Sequence, residues 1–504
     1  MKNKITNIES LSKFRKIYKT KKIGLAHGVF DLFHYGHLLH LEKAKKLCDV
    51  LFISITSEKY VGKGPGRPFY NDNRRLKFLS SVDLVDFVLI SNYASAVEII
   101  KKLKPDIYFK GDEYAIGDSD HTKKIGNEIT AVKKNKGKVV FTNEPSLSST
   151  KLINNFSDQL NTNVKKYLTN LSKKFSFQEI NKIFNRLENS NILVMGDTII
   201  DKYIFTLPMG KSPKEQIISV KSENSEMYGG GIIATANHLS SFVENCTLLT
   251  VLGNDKGENK KIMKFVNKKI NNKFFYHKNT RNLIKTRYLE KNNNNKLFQT
   301  ANLDISEIDK NIEKKILKYL KKNIYKFDHV IVHDFGHGLF TKKIISVIEK
   351  NSKFLSINAQ TNSTNIGYNY ITKYSNADYI SIDEPEARLA LQDNHSSSNK
   401  LFYKLRKKVK FKLASITFGK KGAKVFDGKK IHYAPAFSDK PIDSLGAGDA
   451  YFAISSFCSK MAKNKEIIAF IGNVAGALKV NYLGHREYIK KIELLNYAKS
   501  ILNI

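Results

Sequence analysis

Short apolar strands alternating with amphipathic helices, in two separate series, constrain this chain more than any other feature. The first series opens with a strand over 23–26, apolar residues at helical spacing over 37–47 (Leu38, Leu41, Ala44, Leu47) and a strand over 51–56. Helix 73–81, strand 87–90, helix 94–103, and strands 107–109 and 139–142 continue it. Strands alternating with helices need crossover connections, so they pair in parallel and helices cover the sheet faces. A polar, Lys- and Asn-rich stretch with helical spacing follows at 156–187. A second series then starts at 191–195 and includes strands over 217–220, 247–251, 330–333, 354–357, 379–382 and 414–418, with a helix opening near Gly446. The expected fold is α/β in two domains, 1–155 and 188–504, joined by a linker at 156–187. A length of 504 residues accommodates that division.

Composition narrows the function classes. Hydrophobic residues make up 41% of the chain, enough for large cores and unlike a disordered protein. The longest apolar runs, such as 51–55 and 87–90, fall far short of the ~20 residues of a membrane span, and the basic segment 1–22 carries Glu9 and no apolar core, unlike a secretory signal. Cys48, Cys246 and Cys458 are too few and too scattered for a disulfide framework or a cysteine-only zinc site. A reducing, cytoplasmic location with no membrane partner is expected. The net charge of +38 invites a nucleic-acid reading. Lysine is spread along the whole chain with Asn and Ile, however, so a solvated basic surface that concentrates phosphorylated substrates is the better expectation.

The densest chemistry of the first series is HGVFDLFHYGHLLH, from His27 to His40. His34-x-Gly-His37 sits where a strand gives way to a helix, and a helix start presents unsatisfied N–H groups and positive partial charge to phosphate oxygens. Gly28 and Gly36 allow close approach to the backbone. His34 and His37 can donate to charge developing at an attacked phosphate. A metal site on His34, His37 and His40 lacks a completing ligand cluster, and His27 and His40 read as ordinary strand-end and helix-surface residues.

These residues resemble the HxGH signature of the cytidylyltransferase-like nucleotidylyltransferases. Three downstream segments match in order: Lys63-Gly-Pro-Gly-Arg67-Pro with Asn73-Arg-Arg75, the run Pro105 to Tyr114 around Lys110, and Ser148-Ser-Thr150-Lys-Leu-Ile. The resemblance implies a Rossmann-like domain in which a sugar or alcohol phosphate attacks the α-phosphate of ATP or CTP and releases pyrophosphate. It further implies that His34 and His37 hold the triphosphate and transition state, and that Lys110 and Lys63 neutralise charge. Gly28, Phe30, Ser148, Ser149 and Thr150 would contact nucleotide, and Arg75 the substrate.

Near the other end, Asp443-Ser-Leu-Gly446-Ala447-Gly448-Asp449 precedes an apolar helix. Gly-Ala-Gly at a helix start forms an anion hole for a transferring phosphoryl group, and Asp449 at its mouth can accept a hydroxyl proton. A plain helix cap would use the same residue types. Other segments support the chemical reading: Asp197 through Asp201, Gly229-Gly230-Gly through Asn237, His333-Asp-Phe-Gly336 and Thr417-Phe-Gly419-Lys-Lys-Gly422. Together they resemble the ribokinase-type (phosphofructokinase-B-like) sugar kinases. The resemblance implies a ribokinase-like α/β sandwich with Asp449 as base. Gly446, Ala447, Gly448, Thr417, Gly419 and Gly422 would lie on the ATP side, and Asp201, Gly229, Gly230 and Asn237 would grip sugar hydroxyls. Where the family carries Asn-x-x-Glu for Mg²⁺, this chain has Asp383-Glu-Pro-Glu386, which still offers hard oxygen ligands. The family's Asp-Pro becomes Asn358-Ala. Gly210-Lys-Ser212 resembles the end of a P-loop but lacks its first glycine, since Phe205 stands there.

A sugar kinase and a nucleotidylyltransferase on one chain imply consecutive steps. The combination is similar to the bifunctional enzymes of ADP-heptose synthesis, which act on D-glycero-D-manno-heptose 7-phosphate and then on its 1-phosphate, although there the kinase half comes first. Sugar phosphate, nucleoside triphosphates and Mg²⁺ are the expected ligands, and a homodimer is a further expectation. A cytidylyltransferase for a polyol phosphate fused to an unrelated kinase is the alternative, and a non-catalytic basic nucleic-acid binder is the second.

Overall fold

Five parallel strands form the sheet of the first unit: β1 (Ile23–Gly28), β2 (Val50–Thr56), β3 (Phe87–Ser91), β4 (Ile107–Gly111) and β5 (Lys138–Thr142), in the order β3-β2-β1-β4-β5. The computed structural model describes residues 4–64, 67–111, 124–143, 162–302, 306–362, 365–438 and 441–502. Successive strand residues point to opposite faces, and here both faces are covered. Leu25, Phe52, Leu89 and Tyr108 enter one core, and Ala26, Ile53, Val88 and Phe109 the other. Two-sided burial explains why these strands read as continuous apolar runs. The sheet order reverses direction at β1, so the crevice beyond the carboxyl ends of β1 and β4 is where such a sheet binds ligand.

The second unit is built on a nine-stranded sheet, β10-β9-β6-β13-β14-β15-β16-β17-β18. Its parallel strands are β6 (Asn191–Gly196), β9 (Asn245–Leu252), β10 (Ile270–Tyr276), β13 (His329–Asp334), β14 (Leu355–Ala359), β15 (Asn376–Asp383) and β16 (Lys410–Thr417); β17 (Ala423–Phe426) and β18 (Ile431–Ala434) run antiparallel. A separate four-stranded sheet, β12-β11-β7-β8, comprises β7 (Thr198–Lys211), β8 (Ile218–Gly231), β11 (Leu283–Glu290) and β12 (Lys296–Ala301). Apart from the piece of β8 at 217–220, that sheet is missing from the sequence expectation. β7 contains Pro208 and Gly210 with two register shifts against β8, and the middle of β8, residues 221–225, is polar and exposed. Neither pattern gives a clean period-two signal.

The stretch 156–187 contains the helices Thr162–Ser172 and Phe177–Leu187, whose buried residues Val164, Leu168, Leu171 and Ile180, Ile183, Phe184, Leu187 follow the expected helical spacing. The compact units differ from the expected division in where they end. One comprises Met1–Phe177 with Ile492–Ile504, the other Gln178–Lys491. The terminal helix Lys491–Leu502 thus belongs mostly with the first unit, where Tyr497 lies against Gly64. An apolar helix face does not say which core it joins, so sequence could not assign it.

Candidate active sites

In the first unit, β1 ends at Gly28, and Phe30 and Leu32 turn the chain through positive φ (51° and 40°) into the helix Tyr35–Lys46. His34 is the extended residue ahead of that helix and His37 lies in its first turn. Their rings stack with centroids 3.9 Å apart and planes 19° apart. Among the described residues, both nitrogens of His34 and Nδ1 of His37 are buried without a hydrogen-bond partner. Burial, then the charges of His34, His40 and Lys63, pushes the His37 imidazole down to about 3, and burial lowers His34. Both rings are neutral at pH 7, with unspent nitrogens at a helix start.

Lys110, at the end of β4, is brought beside His27: its Nζ donates to the His27 carbonyl at 3.3 Å and lies 3.4 Å from Glu128 Oε2. His27 and His40 are structural, as expected, bonding Ser54 Oγ at 2.5 Å and Thr142 Oγ1 at 2.6 Å. Two expected contacts are corrected. Phe30 is buried in the core, its ring 5.3 Å from that of His37, so its side chain is a packing element. Arg75 is 1% exposed, and its guanidinium donates to the carbonyls of Val29, Thr56 and Tyr70 and to Asp72. It ties the β1 loop to the end of β2 instead of facing a substrate. Asp31, unnoticed in the sequence, accepts from the N–H groups of Phe69 (2.7 Å) and Tyr70 (3.0 Å) and anchors the loop opposite the histidines. Ser148, Ser149 and Thr150 lie outside the described residues.

In the second unit the carboxyl ends of β6, β13, β14, β15 and β16 share one edge, as their parallel register requires. The helix Ala447–Ser459 starts with Gly446, whose φ of 75° favours glycine and where a Cβ would meet His485 at 2.5 Å. Around Gly448, by contrast, a Cβ would find nothing within 4 Å. Asp449, in the first turn, is buried. Its Oδ1 accepts from Gln360 Nε2 at 2.7 Å and lies 3.5 Å from His333 Nε2. The fully buried Lys479 donates to the carbonyls of Leu445 (3.0 Å) and Gly484 (2.6 Å), bracing the glycine turn. Thr417 ends β16 and Gly419 has open space around it. Gly422 has a φ of 89° and backbone 2.1 Å from where a Cβ would sit, so it shapes the turn.

Asp201 lies on β7 opposite Lys285 of β11. One of its oxygens pairs with Arg287 and the other is 3.4 Å from His485 Nε2. Gly230 gives that carboxylate room, since a Cβ there would overlap Asp201 Oδ2. Gly229 pairs with Ile200 in the same ladder. Asn237 is corrected: its amide bonds the Phe265 carbonyl (2.8 Å) and the Asn267 N–H (2.9 Å), so it fixes a turn. Asp383 and Glu386 form the capping box of the helix Glu384–Leu391, with Asp383 Oδ1 accepting from the Glu386 N–H and Glu386 Oε2 from the Asp383 N–H. Asp383 is therefore a helix cap first. Buried Glu386 also accepts from the Thr361 N–H at 3.0 Å. Burial, then Asp383 and more distantly Asp449, holds its carboxyl well above the usual range. No group of three His, Cys, Asp or Glu among the described residues is arranged to hold a metal.

Arg287, His485, Lys479, Gln360 and His333 were not singled out for roles at this site in the sequence. Two left a trace: Arg287, since Lys285 and Arg287 alternate onto one face of a strand, and His333, which opens the segment His333-Asp-Phe-Gly336.

The description "pfkB family carbohydrate kinase" matches residues 189–491, and "Cytidylyltransferase-like" matches 25–155. "Bifunctional protein HldE" of Campylobacter jejuni (strain RM1221) is 26% identical over 326 residues, covering 63% of this chain and 67% of that protein. The protein of the same name from Desulfatibacillum aliphaticivorans is 38% identical over 136 residues, 26% of each chain. A ribokinase from Thermotoga maritima is 17% identical, with a TM-score of 0.48, covering 62% of this chain and 99% of that one. None of the described helices is long and apolar enough to cross a membrane. The chain belongs to the pfkB carbohydrate kinase family and carries a cytidylyltransferase-like nucleotidyltransferase domain ahead of its kinase domain.

Proposed function

We propose that the kinase domain phosphorylates a sugar phosphate at its anomeric hydroxyl with ATP. The nucleotidyltransferase domain then joins the product to a nucleotide, as in ADP-heptose synthesis. The observation that carries the kinase step is the state of Asp449. Its Oδ1 is held by Gln360, and no hydrogen bond among the described residues reaches Oδ2. The sugar hydroxyl gives its proton to Oδ2, its oxygen bonds to the γ-phosphorus, and the bond to ADP breaks. N–H groups at Ala447 and Gly448 face the developing charge. Asp201, fixed by Arg287 and His485, accepts from sugar hydroxyls beside Gly229 and Gly230.

Glu386 fits a Mg²⁺ carried in on phosphates. A buried carboxyl raised by desolvation and like charge gains from a nearby cation, and Mg²⁺ takes one or two carboxylates with phosphates and water. When bound, it neutralises charge on the triphosphate. Asp383, with Oδ1 accepting from the Glu386 N–H, is the second carboxylate there.

In the other domain a phosphate oxygen of the sugar 1-phosphate bonds to the α-phosphorus of ATP or CTP, and pyrophosphate leaves. His34 and His37 receive the charge, with Lys110 behind them and Ser148, Ser149 and Thr150 on the terminal phosphates. Offered D-glycero-D-manno-heptose 7-phosphate, Mg²⁺ and ATP or CTP, the protein should yield both the 1,7-bisphosphate and a nucleotide-linked product by mass spectrometry. Asp449→Asn should abolish only the first reaction and His37→Ala only the transfer from a supplied 1-phosphate. Unchanged products in both variants would sink the reading.

A further inference from the structure

Asp449 has a second neighbour besides Gln360, the histidine that opens the segment His333-Asp-Phe-Gly336 and has been given no role so far. His333, the residue before the last of β13, is fully buried, its ring stacked on Phe335 (4.2 Å between centroids) and edge-on to Phe452 (5.2 Å). Its Nδ1 lies 2.7 Å from Thr235 Oγ1. Its Nε2 lies 3.5 Å from Asp449 Oδ1 and is otherwise without a hydrogen-bond partner among the described residues. The nearby Asn358 amide nitrogen donates to the Ser381 carbonyl at 2.6 Å, and its Oδ1 is buried without a hydrogen-bond partner among the described residues. Nε2 therefore faces one acceptor, the Asp449 carboxylate. The tautomer that carries its proton on Nε2 suits that carboxylate, and the Thr235 hydroxyl, 2.7 Å from Nδ1 against 3.5 Å from the Gly231 carbonyl, then donates to Nδ1.

We propose that His333, set as the Nε2–H tautomer by Thr235, is a positioning residue for the Asp449 carboxylate. With Gln360 it occupies Oδ1 from one side, which turns Oδ2 toward the sugar hydroxyl. A contact of 3.5 Å without substrate is of the kind that tightens in the reacting complex. Lys285 from β11, Lys479 from the helix Glu466–Lys479, His485 from the loop after it and Glu386 from the helix Glu384–Leu391 also act on Asp449. His333 and Gln360 are the groups that meet its Oδ1. Burial keeps His333 neutral, so it orients the base without supplying a full charge.

The inference rests on the kinase reading, and one set of variants separates the two. His333→Phe keeps the aromatic packing and removes the N–H, Thr235→Val removes the donor that sets the tautomer, and His333→Gln returns an N–H. Each is assayed in the full chain for phosphorylation of D-glycero-D-manno-heptose 7-phosphate, with the denaturant midpoint of the kinase unit as the control of folding. His333→Phe should lower kcat by about 10- to 100-fold with KM for ATP within about threefold. Thr235→Val should lower kcat in the same direction, the double variant should be no worse than His333→Phe, and His333→Gln should recover part of the loss. A kcat for His333→Phe within about threefold of the parent, or losses that multiply in the double variant, overturns the proposal. A parent protein that phosphorylates no sugar overturns the kinase reading, and the positioning role with it.

Discussion

Asp201 of β7 and Arg287 of β11 form a buried ion pair between neighbouring strands of the four-stranded sheet, closed on the other side by His485. In the register Arg287 stands opposite Tyr203, so it reaches Asp201 along the diagonal, and its guanidinium lies 5.8 Å from the Tyr203 ring. Without Arg287 the carboxylate would be a buried charge. Arg287→Met should therefore destabilise the kinase unit by about 3–5 kcal/mol, read as a fall in the denaturant midpoint. Asp201→Asn should cost less stability and chiefly raise KM for the sugar. Equal stability in Arg287→Met and the parent would refute the pairing.

The stacked His34 and His37 give a pH prediction. Burial holds both imidazoles below their usual range, so neither is protonated in the empty site at pH 7. A triphosphate beside them favours the charged form, so binding takes up protons and tightens as pH falls from 8 toward 6. Calorimetric titration with nucleotide in buffers of different ionisation enthalpy should show uptake of a fraction of a proton near pH 6.5. In His37→Phe that uptake should shrink and nucleotidyl transfer drop by about 100-fold or more. Proton release on binding would contradict the assignment.

Gly446 and Gly448 are two residues apart and should respond oppositely to alanine. Gly446→Ala places a Cβ at positive φ and 2.5 Å from His485, and should destabilise by more than about 1 kcal/mol. Gly448→Ala fills open space within a helix and should leave stability unchanged or raised by up to about 1 kcal/mol. It should nevertheless lower sugar phosphorylation, because the methyl occupies room meant for phosphate. Thermal melts beside kinase rates decide this, and full activity in Gly448→Ala would remove the phosphate from that turn.

Glu386 predicts a cation-dependent stability profile. Its carboxyl is raised in the folded state, so the folded chain holds a proton there that the unfolded chain, with an ordinary carboxyl, has already lost. Stability from this group declines as pH rises into the alkaline range. Between pH 7.5 and 9 His329, His333 and His337, lowered by burial, are neutral folded or unfolded and do not mask it. The melting temperature should fall over that interval, and Mg²⁺ with ADP should restore more at pH 9 than at pH 7.5. Equal restoration at both would remove Glu386 from the cation site.

Much of both sites was legible because it is local. His34-x-Gly-His37 and Gly446-Ala-Gly-Asp449 each lie within one strand-to-helix or turn-to-helix junction, where spacing alone sets which N–H groups and side chains meet. The strand ends at Gly28, Lys110 and Thr417 followed from apolar runs buried on both faces. Sequence could not tell a binding polar residue from a tied one. Arg75 and Asn237 have the right chemistry in the right motif, yet carbonyls from distant segments consume their hydrogen bonds. Asp383 and Glu386 looked like ligands and serve first as a capping box.

By itself, then, the sequence determined two α/β domains, a transferase and a kinase, and the turns where phosphate chemistry takes place. Only the tertiary structure decided what surrounds the reacting groups. Arg287, His485, Lys479, Gln360 and His333 come from separate strands, helices and loops, and they converge because sheet register and core packing bring strand ends to one edge. A side chain's partner and burial, which fix its charge state and its freedom to act, depend on residues hundreds of positions away, as with Asp201 and His485.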